Sequence, residues 1–135
     1  MDTNIEAAKA HLLVVDDDPE MRTLIGRMLH REGHVVVEAA NGREALKHID
    51  AQSFDLVVSD LFMPDTDGIE LIHTLHRQTP NLPLVAMSGG GFDDGKDVLA
   101  VARLLGAVAI VQKPLTRQKL VGAIRRALGP PRHDG

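Results

Sequence analysis

The chain has 135 residues, which is enough for one domain with a hydrophobic core. Its net charge of −4 argues against direct binding of nucleic acid through a basic surface. Because it contains no cysteine, disulfides, thiolate metal sites and cysteine nucleophiles are excluded. No apolar run approaches the ~20 residues of a membrane span, so we expect a cytoplasmic protein that does not enter a membrane.

In chain order, short apolar runs alternate with segments of helical periodicity. We expect residues 1–10 to be a lead-in, residues 11–128 to form the domain and residues 129–135 to be a flexible tail. The predicted strands are 12–15, 35–37, 54–58, 82–87 and 108–111. Each is followed by a predicted helix, and the start signals of these helices are Asp18 before Pro19, Asn41 with Glu44, Asp67 with Glu70, Asp93 or Asp94, and Thr116.

Five such βα units predict an α/β fold. The strands are apolar without interruption, which indicates that both faces of the sheet are covered and that the strands run parallel. Right-handed crossovers then give a doubly wound five-stranded sheet between two layers of helices.

Polar residues collect where the predicted strands end, which is the edge where open α/β sheets bind ligands. Asp16 and Asp17 follow the first strand, Asp60 the third, Ser88 the fourth and Lys113 the fifth. Three carboxylates at one edge repel one another by roughly 4 kcal/mol per close pair at an effective dielectric near 20. Lys113 can neutralise one charge, and Mg²⁺ is the cation that best suits the remaining oxygens.

The same residues suit phosphoryl transfer, which needs a nucleophile and compensation of charge on the phosphoryl oxygens. Asp60 can be the nucleophile, and the metal, Lys113 and Ser88 can each hold one phosphoryl oxygen. The glycines that follow Ser88 leave backbone amides accessible. Taken singly, each residue has an ordinary interpretation, and Asp18 is better explained as a helix cap than as a ligand. It is the combination at four strand ends that favours a site.

Several motifs together resemble the receiver domain of bacterial two-component response regulators, similar to single-domain chemotaxis and phosphorelay regulators. They are LLVVDDD at 12–18, SDLFMPDTDG at 59–68, Ser88-Gly89, Gly106-Ala107 and Lys113-Pro114. The resemblance implies a flavodoxin-like fold with strand order 2-1-3-4-5. It also implies a cis peptide between Lys113 and Pro114, which proline permits at a cost of roughly 0.5–1 kcal/mol.

The resemblance implies a role for each site residue. Asp60 would be phosphorylated, and Mg²⁺ would be held by Asp16, Asp17, Asp60 and the backbone carbonyl of Phe62. Ser88, with Gly89, would form the switch, and Lys113 would contact the phosphoryl group. One position departs from the pattern, since Ile110 stands where many relatives have Tyr or Phe.

Two functions follow as alternatives. In the first, a histidine kinase or histidine phosphotransfer protein phosphorylates Asp60, and the protein, a monomer or weak dimer, then binds a downstream target protein. In the second, it is a shuttle that passes the phosphoryl group to a histidine phosphotransfer domain. A conventional enzyme is disfavoured, because dehalogenase-type phosphatases need a second acid where Phe62 stands. Flavin binding is disfavoured by the acidic first loop.

Overall fold

A computed structural model describes residues 10–61, 68–88 and 106–129. The strands within these ranges are β1 (His11–Val15), β2 (Val35–Ala39), β3 (Leu56–Asp60), β4 (Leu84–Ser88) and β5 (Ala109–Gln112). The helices are α1 (Pro19–Arg31), α2 (Gly42–Ala51), α3 (Gly68–Gln78) and α4 (Arg117–Leu128). The helix predicted to begin at Asp93 or Asp94 lies outside the described residues.

The five strands form one parallel sheet in the order β2-β1-β3-β4-β5, which confirms the predicted topology. The register sets the carboxyl ends of the inner strands level with one another. Val15 pairs with Ser59, Asp60 with Met87, and Ser88 with Gln112. The residues that end these strands therefore share one edge of the sheet.

Two apolar clusters cover the two faces of the sheet, as the unbroken strands predict. One face contributes Leu13, Val15 and Val57, which pack with buried residues of α2 and α3. The opposite face contributes Leu12, Val14 and alternate residues of β3 and β4, which pack with α1 and α4. Adjacent strand residues point to opposite faces, so the whole of β3 and β4 is buried.

Three predicted helix starts are confirmed by side-chain caps. The Asp18 carboxylate accepts a hydrogen bond from the amide of Glu20 at 3.0 Å, with Pro19 at the first helical position. Asn41 accepts from the Glu44 amide at 2.9 Å, and Thr116 accepts from the Lys119 amide at 3.1 Å. These caps fix where α1, α2 and α4 begin after the sheet edge.

The predicted third strand is wrong by two residues, since β3 begins at Leu56 rather than at residue 54. Phe54 is apolar, but its ring lies against the His11 ring in a tilted arrangement, with 4.7 Å between the ring centroids. The Asp55 carboxylate accepts the His11 amide at 2.7 Å. Phe54 and Asp55 thus belong to the turn that enters the strand, and Asp60 is the last residue of β3.

Along the described part of the chain, no helix combines the length and apolarity that crossing a membrane requires.

Two leucines of α1 allow a matched test of this packing. Leu29 is fully buried, whereas Leu24 is 45% exposed. We expect Leu29→Ala to lower the free energy of unfolding by about 2–5 kcal/mol, because it leaves a cavity under the sheet. Leu24→Ala should cost less than about 1 kcal/mol. Urea unfolding followed by far-UV circular dichroism measures both, and equal losses would contradict the assignment of the buried face of α1.

Candidate functional site

Three carboxylates meet at the carboxyl edge of the sheet. Asp16 and Asp17 follow β1, and Asp60 ends the neighbouring strand β3. One oxygen from each of the three side chains lies within 4.8 Å of the others. Asp16 and Asp60 are buried, whereas Asp17 is exposed. The cluster therefore has a buried floor and one ligand open to solvent.

Asp16 is the member of the cluster whose pKa is raised. Its Oδ1 accepts a hydrogen bond from the Asp18 amide at 2.9 Å. Its Oδ2 is buried and accepts no hydrogen bond from the described residues. Burial raises the pKa of Asp16, and the charges of Asp60 and Asp17 raise it further, against the opposing effects of the Asp18 amide and Lys113. A second cation beside Oδ2 would stabilise the ionised form.

Lys113 supplies the first cation. It follows β5, and its Nζ lies 3.2 Å from Asp60 Oδ2 and 3.5 Å from Asp16 Oδ2. Burial lowers the pKa of Lys113, but the two carboxylates outweigh burial and raise it above 10.5. The side chain is therefore an ammonium ion at neutral pH. The Lys113–Pro114 peptide is cis, as the resemblance implies.

Ser88 lies at the same edge, as the buried last residue of β4. Its backbone carbonyl accepts a hydrogen bond from the Lys113 amide at 2.8 Å. On the other side of β4, the Leu61 amide donates to the Met87 carbonyl at 2.9 Å. The ends of β3, β4 and β5 are thus joined by main-chain bonds at the site. Phe62 and Gly89, which were also predicted to contribute, lie outside the described residues.

The donor set fits a hard divalent cation. Three carboxylate oxygens converge, and Asp16 Oδ2 is a buried acceptor whose nearest described cation is 3.5 Å away. Mg²⁺ prefers one or two protein carboxylates and keeps several waters, which suits a cluster that is open on the Asp17 side.

Ile110 is the residue that stands where many receiver domains have Tyr or Phe. It lies in β5 opposite Ala86, is partly buried and packs against the cluster beneath α2 and α3. A branched aliphatic side chain has no ring to rotate between an exposed and a buried position. A switch that uses this position must work by another movement.

Arg22 and Glu38 also contribute to the site, and neither residue was predicted to do so. The Arg22 Nη1 donates to the backbone carbonyl of Asp16 at 2.8 Å, and its Nε donates to Glu38 Oε1 at 3.3 Å. The available signal was positional. Glu38 sits near the end of β2 at the same sheet edge, and Arg22 lies in the first two turns of α1.

Known proteins share this sequence pattern and fold. The model of the response regulator receiver domain matches residues 12–125. Transcriptional regulatory protein GlrR of Escherichia coli K12 is 36% identical over 119 residues, which cover 88% of this chain and 26% of GlrR.

Solved structures show the same likeness. The receiver domain of NtrX from Brucella abortus has 32% identity and a TM-score of 0.80, with 87% of this chain and 97% of that one covered. Chemotaxis protein CheY4 from Vibrio cholerae has 28% identity and a TM-score of 0.81, with 90% of this chain and 100% of that one covered.

The chain belongs to the response regulator receiver domain family. It spans about a quarter of the length of GlrR. The match places the residues of the acidic cluster and Lys113 within a domain of two-component signalling.

The raised pKa of Asp16 gives a pH prediction for the metal-free protein. Because the folded state favours protonated Asp16, ionisation costs stability as the pH rises from 3.8 through the raised pKa. We expect Asp16→Asn to remove this cost. With EDTA present, the variant should gain stability relative to wild type as the pH rises, and should be the more stable protein at about pH 7.

Thermal or urea unfolding at a series of pH values measures this difference. Asp50→Asn, which alters an exposed carboxylate on α2, is the matched control and should show no comparable gain. If Asp16→Asn loses stability relative to wild type as the pH rises, the raised pKa of Asp16 is contradicted.

Proposed function

We propose that this receiver domain accepts a phosphoryl group on Asp60 from a histidine kinase or histidine phosphotransfer protein, and then signals by binding a downstream protein. The observation that carries the proposal is the contact of one ammonium ion, Lys113 Nζ, with the buried carboxylates of Asp60 and Asp16. A carboxylate nucleophile beside a fixed cation and a second acidic pair is the arrangement that phosphoryl transfer to aspartate needs.

In the proposed reaction, an Asp60 carboxylate oxygen attacks the phosphorus of a phosphohistidine. The new O–P bond forms as the P–N bond breaks, and the released imidazole keeps the electron pair of the broken bond. Lys113 would move its contact from the Asp60 carboxylate to a phosphoryl oxygen, which lies two bonds beyond the carboxylate oxygen that forms the new O–P bond. Such a domain assists its own phosphorylation and the later hydrolysis of its aspartyl phosphate, without being a conventional enzyme.

Asp16, Asp17 and Asp60 would hold Mg²⁺, together with the Phe62 carbonyl. When bound, the ion neutralises charge on the carboxylates and on the transferred phosphoryl oxygens. The buried Asp16 Oδ2 gives it a carboxylate oxygen that accepts no hydrogen bond from the described residues and has Lys113 Nζ 3.5 Å away. Asp17, the exposed member, would be the ligand that remains next to solvent water.

The proposed switch begins at Ser88. Phosphorylation would draw the Ser88 hydroxyl towards a phosphoryl oxygen, and Gly89 would follow. The carbonyl of Ser88 is bonded to the Lys113 amide, so the movement would reach the end of β5 directly. The β4–β5 edge would have two conformations. The phosphoryl group would favour the conformation with which it makes the stronger contacts.

A phosphorelay shuttle is the second candidate. It is favoured by Ile110, because a partly buried aliphatic residue lacks the ring that relatives use to report phosphorylation to a target. The two functions separate by kinetics. A shuttle returns its phosphoryl group rapidly to a histidine phosphotransfer domain, whereas an effector keeps it and gains affinity for a target.

Labelling with acetyl phosphate tests the acceptor. We expect wild type with Mg²⁺ to gain the mass of one phosphoryl group, and Asp60→Asn to gain none, because the nucleophilic oxygen is replaced by an amide. Intact-protein mass spectrometry measures both. Asp50→Asn on α2 should label like wild type, and full labelling of Asp60→Asn would refute the acceptor assignment.

Beryllofluoride with Mg²⁺ tests the switch, since it mimics the phosphoryl group without turnover. We expect the backbone amide NMR signals of β4 and of the Lys113 region to shift in wild type. In Ser88→Ala, the shifts near Asp60 should persist while those along β5 shrink by about half or more, because the hydroxyl that couples the group to β4 is gone. Unchanged β5 signals in wild type would rule out this switch.

A further inference from the structure

Arg22 contacts the acidic cluster through the main chain rather than through a carboxylate. Its Nη1 donates to the carbonyl oxygen of Asp16 at 2.8 Å, and this carbonyl belongs to the peptide that joins Asp16 to Asp17. The Arg22 side chain is 19% exposed, so the contact is largely shielded from water. The orientation of that peptide determines where the Asp17 side chain leaves the backbone.

Other partners hold the Asp16 amide and one of its two carboxylate oxygens, but not its carbonyl oxygen. The Asp16 amide donates to the Ala39 carbonyl at 3.2 Å, and Asp16 Oδ1 accepts the Asp18 amide. These two bonds fix the amide and side chain of Asp16. The Arg22 bond fixes the carbonyl, and with it the direction of the chain as it enters Asp17.

Glu38 holds Arg22 in this position. Its Oε1 accepts Arg22 Nε at 3.3 Å, so one planar guanidinium spans the end of β2 and the loop after β1. A lysine has no such planar fork and cannot bond both groups in fixed geometry. Since Glu38 balances the charge of Arg22, the guanidinium can hold the loop without competing strongly with a cation for the carboxylates.

Gly26 makes room for Glu38. It is buried in the middle of α1, where glycine is a poor helix former. A Cβ at this position would lie 3.0 Å from Glu38 Oε2, closer than nine in ten real Cβ contacts, so the carboxylate would have to move by a few tenths of an ångström. Glu38 would have to shift, and Arg22 is bonded to the other oxygen of the same carboxylate.

We propose that Arg22 is a positioning residue for the metal-binding acids, and that Glu38 and Gly26 set the position of Arg22. Arg22 holds the Asp16–Asp17 peptide so that the exposed Asp17 carboxylate faces the buried oxygens of Asp16 and Asp60. The inference rests on the proposed function, because its consequence is the affinity of the site for Mg²⁺. Partners that orient metal ligands typically contribute 10–100-fold to metal affinity.

Three variants weaken the support in different ways. Arg22→Lys keeps the charge and removes the fork, Glu38→Gln keeps the shape and removes the charge, and Gly26→Ala adds one methyl group against Glu38. Gly26→Ala is the sharpest of the three, because alanine favours the helix. A loss of Mg²⁺ affinity in this variant therefore cannot come from a weaker α1. Arg27→Lys, at an exposed position on the same helix, is the matched control.

Isothermal titration calorimetry with Mg²⁺ measures affinity, and the rate of acetyl phosphate labelling is measured across a range of Mg²⁺ concentrations. We expect Arg22→Lys to weaken Mg²⁺ binding by about tenfold, and Glu38→Gln and Gly26→Ala by about threefold. The labelling rates of all three should approach the wild-type rate at saturating Mg²⁺. A merely structural role would instead lower the rate at every Mg²⁺ concentration.

The outcomes separate this inference from the proposed function. Wild type that neither binds Mg²⁺ nor is labelled overturns both. Wild type that does both, while the three variants bind Mg²⁺ within about twofold of it, overturns the positioning role alone. If Arg22→Lys fails to fold, Glu38→Gln and Gly26→Ala still decide the question.

Discussion

The arrangement of the site depends on one ion interaction, the ammonium of Lys113 against two buried carboxylates. Asp16 and Asp60 lie at the ends of adjacent strands, and burial together with the charge of Asp60 opposes the ionisation of Asp16. Lys113 reaches both from β5, two strands away from Asp60 in the sheet order. The interaction thus links the end of β5 to the end of β3 across β4. A single ammonium ion does not fully balance the negative charge of the two carboxylates, and Asp16 Oδ2 lies 3.5 Å from it.

The sheet can hold these charges because its interior is apolar on both faces. β3 and β4 are completely buried, so their side chains cannot reach water except where the strands end. Polar chemistry is therefore confined to the edge, and the parallel register makes the edge level. The apolar runs that predict the fold and the polar residues that form the site are two results of one topology.

Much of this was predictable from the sequence, because both the strands and the acids are local signals. Three helix caps agree with the local signals, and the strand order and the cis Lys113–Pro114 peptide agree with what the resemblance to receiver domains implies. The start of β3 was not predictable, because Phe54 is apolar yet lies before the strand, where its ring contacts His11. The pairing of Arg22 with Glu38 was missed for a different reason. It joins a helix to an edge strand, and neither residue belongs to a sequence motif that predicts the contact.

Gly26 carries a consequence for the history of the sequence. Its missing side chain, the carboxylate of Glu38 and the guanidinium of Arg22 occupy one continuous volume between α1 and β2. A larger residue at position 26 requires the Glu38 side chain to move by a few tenths of an ångström or to be replaced by a shorter one, and a shorter side chain would leave Arg22 without its carboxylate partner. In related sequences we therefore expect a larger residue at position 26 to occur more often with a shorter side chain at position 38.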